Sequence, residues 1–167
     1  VTEDALLASA SVQRVIAVLA QAGLTDRVQV LAETARTAED AAAALSTVQG
    51  SIVKSLMFTV DGAPVMALVA GDRRCCTDAL PRALGRDAVA ERAPARLVRD
   101  VTGFAIGGVA PVGHLQPLPV LIDASLQRFD RLYAAAGHTH CVFGLSWGEL
   151  LSLTGGVVVD GLGLPAA

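Results

Sequence analysis

Lysine is almost absent from this chain: of thirteen basic residues twelve are arginine, and Lys54 is the single lysine. Cysteine is scarce too, with an adjacent pair at Cys75 and Cys76 and a distant Cys141. An odd count so arranged excludes a disulfide framework, and the three are expected to be free thiols. Charged residues make up only 17% of the 167 residues against 53% hydrophobic, and the mean hydropathy is +0.53. That balance excludes disorder, because such a chain buries enough apolar area to offset its conformational entropy. A net charge of −3 excludes coating of nucleic acid through bulk charge but leaves room for a local basic face. The longest charge-free run, Val101 to Ile122, contains four glycines, three prolines, a histidine and a glutamine, which excludes a membrane span. No cationic segment precedes an apolar stretch near Glu3 and Asp4, so a signal peptide is not expected and the location is expected to be cytoplasmic. Internal repeats, linkers and a phosphate loop are all missing. The length suits a single compact domain over residues 1–167.

The apolar spacing predicts one amphipathic helix over Glu3–Gln21 stopped by Gly23, a strand at Val28–Ala32, and a helix over Ala38–Leu45 opened by the capping-box sequence Thr37-Ala38-Glu39-Asp40. Ile52–Val60 and Val65–Ala70 read as strands of a hairpin turned at Asp61-Gly62. Thr77 is expected to cap a short helix ending at Gly85, and Asp87–Val101 reads as a helix with a break near Pro94. Short strands are expected at Pro119–Asp123, Arg131–Ala135, Cys141–Phe143 and Val157–Asp160, with a helix from the capping box Ser146-Trp147-Gly148-Glu149 to Leu153. The class is therefore α+β: a mixed, largely antiparallel, barrel-like sheet with surrounding helices.

Strand alternation places Lys54 on one face with Ile52, Leu56 and Phe58. A cation among large apolar groups needs an anion or carbonyl oxygens, which points either to a pocket for a carbonyl-bearing or anionic ligand or to a structural partner. A compact ammonium also fits where a planar guanidinium does not. The glycines of Gly103-Phe104-Ala105-Ile106-Gly107-Gly108-Val109-Ala110-Pro111-Val112-Gly113 permit close backbone approach, and their N–H groups can form an anion-binding nest stiffened by Pro111, although a tight structural loop reads the same way. His138 and His140 would point the same way on a strand, but no second cluster completes a metal site, so no metal or cofactor is assigned. A thiol nucleophile at Cys141 served by His138 or His140 stands as a rival on the same inventory. Arginines from Arg73 to Arg99 form the one basic region, either a solvated face or a grip for phosphates.

Three stretches, Thr37 to Ala42 through Ile52-Val53-Lys54-Ser55-Leu56, Val101 to His114, and Val120 to Leu126, together resemble the YbaK family, which includes the editing insertion domain of bacterial prolyl-tRNA synthetases. The similarity runs from about Ala35 to Asp160. It departs from the family at Ser46-Thr47-Val48-Gln49-Gly50, which lacks a glycine often found at the end of the preceding helix, and after Gly137. The resemblance implies hydrolysis in trans of the ester of mischarged tRNA, with alanyl- or cysteinyl-tRNA(Pro) as the expected substrates. It places the family's lysine on Lys54 and its Gly-x-x-x-Pro loop on Gly107 to Pro111.

On that reading Lys54 and the backbone of Gly107, Gly108 and Val109 form the catalytic set, and Leu56, Phe58, Phe104, Pro111 and His138 contact the substrate. Arg73, Arg74 and Arg82 grip the tRNA. The expected partner is the acceptor end of a mischarged tRNA, with association to a synthetase and without membrane or DNA. An aminoacyl ester is already reactive, so positioning and oxyanion stabilisation suffice without a protein nucleophile, metal or cofactor. Asp123 is expected to be a structural carboxylate at a strand end. The alternative is a module of the same fold that holds an aminoacylated or nucleotide ligand without turnover.

Overall fold

Ser9 divides the first helical stretch. In the computed structural model, which describes residues 1–166, Ser9 has extended backbone and its hydroxyl donates to the Leu6 carbonyl at 2.9 Å, the local competition by which serine interrupts a helix. The result is α1 (Glu3–Leu7), capped by Thr2, and α2 (Ala10–Gln21), whose Val12, Val15 and Leu19 are buried. After β1 (Val28–Val30) comes α3 (Ala38–Leu45), where the Thr37 hydroxyl accepts from the Asp40 N–H at 3.0 Å as the capping sequence predicts. Ser46 ends α3 in the left-handed region at φ 54°, the conformation a glycine would adopt without strain.

β2 (Ile52–Val60) and β3 (Ala63–Ala70) form the expected hairpin, with Asp61 and Gly62 both at positive φ as a two-residue turn of this type requires. β4 (Arg73–Cys75) and α4 (Ala79–Leu84) follow, and Asp78 rather than Thr77 stands at the helix start. The helix expected over Asp87–Val101 is corrected in its first half. Ala90–Arg92 is β5, drawn onto the free edge of β2, and the Ala93 N–H continues the ladder to the Met57 carbonyl at 3.1 Å. α5 (Ala95–Thr102) starts only after Pro94, whose fixed φ suits a helix entrance. β6 (Val120–Asp123), β7 (Leu132–His138), β8 (Cys141–Leu145), α6 (Trp147–Thr154) with its complete capping box, and β9 (Val157–Val159) run close to expectation, whereas β10 (Gly163–Pro165) was unforeseen.

The strands form a curled, half-barrel mixed sheet in the order β1-β8-β7-β2-β3-β6-β9, with β5 on β2; β4 and β10 make a separate pair. Adjacent residues of β2 serve opposite cores, as the two-residue period dictates. Val53 and Met57 join the larger core with Leu68, Ile122, Phe143 and the buried face of α2, while Phe58 and Val60 join a second core with Val69, Leu80 and Leu162.

One feature of the pairing positions the site. β7 meets β2 only at Ile52 and Val53, and β5 meets it only at Phe58 to Val60. Because the Met57 carbonyl points to that outer edge, the backbone of Ser55 two residues earlier points there too, and no strand covers it. A cleft opens at this gap.

Candidate active site

The cleft has a volume of about 510 Å³. Its floor is β2 from Ile52 to Met57. One wall is the start of α3 with Arg36 and Glu39, another is Tyr133 to Ala135 of β7, and a third is Arg92, Ala93 and Val98 at the β5–α5 junction. Ile106, Gly107 and Val109 of the glycine loop complete it. Three cations, Arg36, Lys54 and Arg92, line it against one carboxylate, Glu39.

Lys54 is half-buried and its ammonium donates to the backbone carbonyl of Arg73. Burial pulls its pKa below the ordinary lysine range, while Cys75, Asp72 and Asp123 nearby pull it partly back. An ammonium has three donors, so the bond to Arg73 leaves two for a ligand. Ser55, beside it, has a buried hydroxyl without a partner among the described residues. A buried unpaired hydroxyl carries a desolvation cost.

The glycine loop is held from behind. Arg14 of α2 donates to the Gly113 carbonyl at 3.2 Å and lies 5.0 Å from the Phe104 ring centroid, and His114 shares a 2.7 Å hydrogen bond with the Ala110 carbonyl. Gly107 has φ 97°, open to glycine at little cost. Gly108 abuts the β7–β8 hairpin so closely that a Cβ there would lie 2.9 Å from the His138 Cα, and its N–H donates to the Ala105 carbonyl at 3.0 Å. Among the described residues no acceptor takes the N–H groups of Gly107 and Val109.

The structure therefore brings together Lys54, Leu56, Gly107 and Val109 of the residues singled out in the sequence. Others lie elsewhere. Phe104 is 1% exposed in the larger core and Phe58 is 2% exposed in the second core, under the Arg92 guanidinium at 5.4 Å. Pro111 is buried behind the loop. His138 lines a separate hollow with His140, Glu3 and Leu6, and its Nδ1 accepts from the His140 N–H at 3.0 Å. Arg73 and Arg74 sit on β4 and Arg82 on α4, outside the cleft lining.

Sequence reasoning missed Arg36 and Ser55 as cleft residues, and it counted Arg92 only as part of a basic run. The signals were their neighbours: Arg36 precedes the α3 cap and Ser55 follows the lone lysine. Cys141 is wholly buried and burial pushes its thiol pKa up; Cys75 is pushed up to about 11, again mainly by burial. Neither has the thiolate character that a nucleophile needs, which removes the thiol-hydrolase reading. Asp123, 1% exposed, accepts from the Ala70 N–H at 3.0 Å and from Ser125, as a structural carboxylate does. Among the described residues no group of three His, Cys, Asp or Glu side chains is placed to hold a metal ion, and no helix is long and apolar enough to cross a membrane.

Comparison with known proteins agrees with this fold. A solved structure described as a candidate trans-editing enzyme for prolyl tRNA synthetase superposes with a TM-score of 0.85 at 38% identity, covering 95% of this chain and 99% of that one. A second, of a hypothetical protein, gives 0.80 at 28% identity over 88% of this chain and 97% of that one. Among curated proteins, the proline–tRNA ligase of Maridesulfovibrio salexigens is 40% identical over 77 residues, 46% of this chain and 13% of the ligase. That of Streptococcus equi subsp. equi is 30% identical over 114 residues, 68% of this chain and 18% of the ligase. The chain thus spans less than a fifth of these ligases. The profile described as "Aminoacyl-tRNA editing domain" matches residues 32–153, which include β2 and the glycine loop, and the chain belongs to that family.

Proposed function

We propose that this protein hydrolyses the ester of mischarged aminoacyl-tRNA in trans, releasing a small amino acid such as alanine or cysteine from tRNA(Pro). The observation that carries this reading is the meeting, in one cleft, of a half-buried lysine, the unpaired edge of β2 and the free N–H groups of the glycine loop. A water molecule attacks the ester carbonyl carbon, assisted by the neighbouring ribose hydroxyl. The carbonyl oxygen gains the negative charge, and collapse of the intermediate expels the ribose oxygen, which takes up a proton. The N–H groups of Gly107 and Val109 stabilise the oxyanion, and Lys54 anchors the carbonyl or the terminal phosphate. Gly108 contributes by letting the loop lie against the β7–β8 hairpin.

Arg36 and Arg92 at the cleft hold the terminal phosphates, and Arg73, Arg74 and Arg82 lie further out for the acceptor stem. Discrimination against proline is steric. A methylene in an apolar pocket is worth only ~1–3 kcal/mol by attraction, so a wall that includes Leu56, Met57 and Val109 must exclude the larger side chain. Purified protein is incubated with tRNAs charged with Ala, Cys, Ser, Thr or Pro, and ester loss is followed beside Lys54→Ala. Loss of one small amino acid, abolished in the variant, is the expected result. Tight binding of all five without ester loss would establish the non-catalytic module instead.

A further inference from the structure

We propose that the C-terminal strand β10, seated against the buried carboxylate of Asp123, is a positioning device for Lys54 and is therefore part of the editing machinery. The inference rests on the reading of Lys54 given above. It starts from the acceptor of the Lys54 ammonium, the carbonyl of Arg73. Arg73 lies on β4, a strand of three residues outside the main sheet. β4 pairs antiparallel with β10 in the register Arg73 to Pro165, Arg74 to Leu164 and Cys75 to Gly163. One further backbone bond extends the ladder, from the Cys76 N–H to the Leu162 carbonyl at 2.7 Å.

Two contacts fix β10 itself. Leu162 is fully buried in the second core, beside Leu80 and Val69. Gly163 lies flat on Asp123: a Cβ at that position would fall 2.0 Å from Oδ2 and 2.5 Å from Cγ, so only glycine allows the approach. Asp123 is the one charged side chain that is fully buried among the described residues. The same Oδ2 accepts the Ala70 N–H at 3.0 Å and the Ser125 hydroxyl at 2.8 Å, while Oδ1 accepts the Ser125 N–H at 2.9 Å. Ala70 stands opposite Val53, the neighbour of Lys54 on β2. The carboxylate is thus hydrogen-bonded to β3, the strand partner of the lysine, and lies against β10, which pairs with the strand that carries the lysine's acceptor. β10 falls beyond residue 153, where the family profile ends, so nothing in that match assigns it a role.

The test uses the chain's single lysine, because protein grown on lysine labelled with carbon-13 at the ε position has one lysine ε signal. In the wild-type protein the signal is expected to titrate below free lysine because burial disfavours the ammonium, and the amine is expected to react slowly with acetic anhydride because it is held on the Arg73 carbonyl. Gly163→Ala pushes β10 off Asp123. The expected result is a signal that moves to the free-lysine titration, with hydrolysis of alanyl-tRNA(Pro) slowed at least tenfold. Leu19→Ala on α2 empties the larger core, which does not include Leu162 or β10, so it lowers the melting temperature but leaves both the signal and the rate near wild type.

An unchanged signal and rate in folded Gly163→Ala would overturn the proposal, as would equal losses of rate in the two variants with an unmoved signal. If Gly163→Ala does not fold, the wild-type protein still decides: a Lys54 that titrates and acylates like free lysine is not held, and the proposal falls. If Lys54→Ala keeps full activity, the catalytic reading fails, while the signal in Gly163→Ala still reports whether β10 holds the lysine.

Discussion

At the scale of single residues, Lys54 shows why chemistry and not charge alone was legible. A sequence that writes arginine twelve times and lysine once marks the exception, and the structure puts that exception in a cleft with one carbonyl already bound. Lys54→Arg preserves charge but replaces a point donor with a planar fork, so it is expected to fail alongside Lys54→Ala, each losing ~10²–10³ in the rate of ester loss. Single-turnover deacylation measures both; wild-type rates in Lys54→Arg would show that only charge matters. Ser55 makes the complementary case. Its buried hydroxyl has no partner among the described residues, so Ser55→Ala loses no hydrogen bond and is expected to leave the melting temperature unchanged or higher. A lower melting temperature would make it structural. The aromatic candidates were misplaced for a plain reason: alternation puts Phe58 on the same face as Lys54, but that face also carries the second core, and one strand cannot reveal what covers it.

Elements with a complete local code were legible from the sequence. The β2–β3 turn, the Thr37 cap and the Ser146–Glu149 capping box all depend on residues within a few positions of one another, and all three are present. β5 and β10 depend on an edge presented by a distant strand, so local propensity could not find them, and Ala90–Arg92 read as helix because its open partner edge lies more than thirty residues earlier. Ser46 marks the other limit, where sequence shows a missing glycine but not its cost. Holding serine at φ 54° makes Ser46→Gly a stabilising change of ~0.5–1 kcal/mol, visible as a rise in melting temperature, and a fall would mean that the serine makes up for its strain. The start of α6 gives a pH dependence. Glu149 receives both Arg27 guanidinium nitrogens at 3.0 and 3.1 Å and the Ser146 N–H at 2.8 Å, which lowers its pKa to about 2. A carboxylate depressed by folding contributes stability above its unfolded pKa, near ~4.3, and loses it as pH falls toward the folded value. The melting-temperature gap between wild type and Glu149→Gln is therefore expected to be full at pH 6 and to close between pH 5 and about 2; a constant gap would show that the pair is immaterial.

On the scale of the whole molecule, a net charge of −3 and the proposed polyanionic substrate are reconciled by where the cations sit. The acidic balance keeps the surface from gathering nucleic acid at random, while the cleft concentrates Arg36, Lys54 and Arg92 against a single carboxylate. The basic run from Arg73 to Arg99 was legible as a region, but its sequence order hid that only Arg92 turns into the cleft, and that Arg36 joins it from the opposite wall across the gap in the pairing of β2. Binding to phosphates predicts a salt dependence to which each arginine surface contributes its own share. Each phosphate neutralised on a single strand contributes ~0.7 to the slope of log affinity against log salt, so engagement of the acceptor end by Arg36 and Arg92 gives a slope of about −1.4. Removing both with Arg36→Ala and Arg92→Ala should make the slope shallower by about that amount and leave the part that the outer arginines contribute. Arg74→Ala with Arg82→Ala should remove that remaining part, because the proposed acceptor-stem contact rests on β4 and α4. Titration of a non-hydrolysable aminoacyl-tRNA analogue across a range of salt concentrations separates the two surfaces. A slope that ignores the cleft pair and follows the outer pair would move the tRNA contact off the cleft and onto the β4–α4 face.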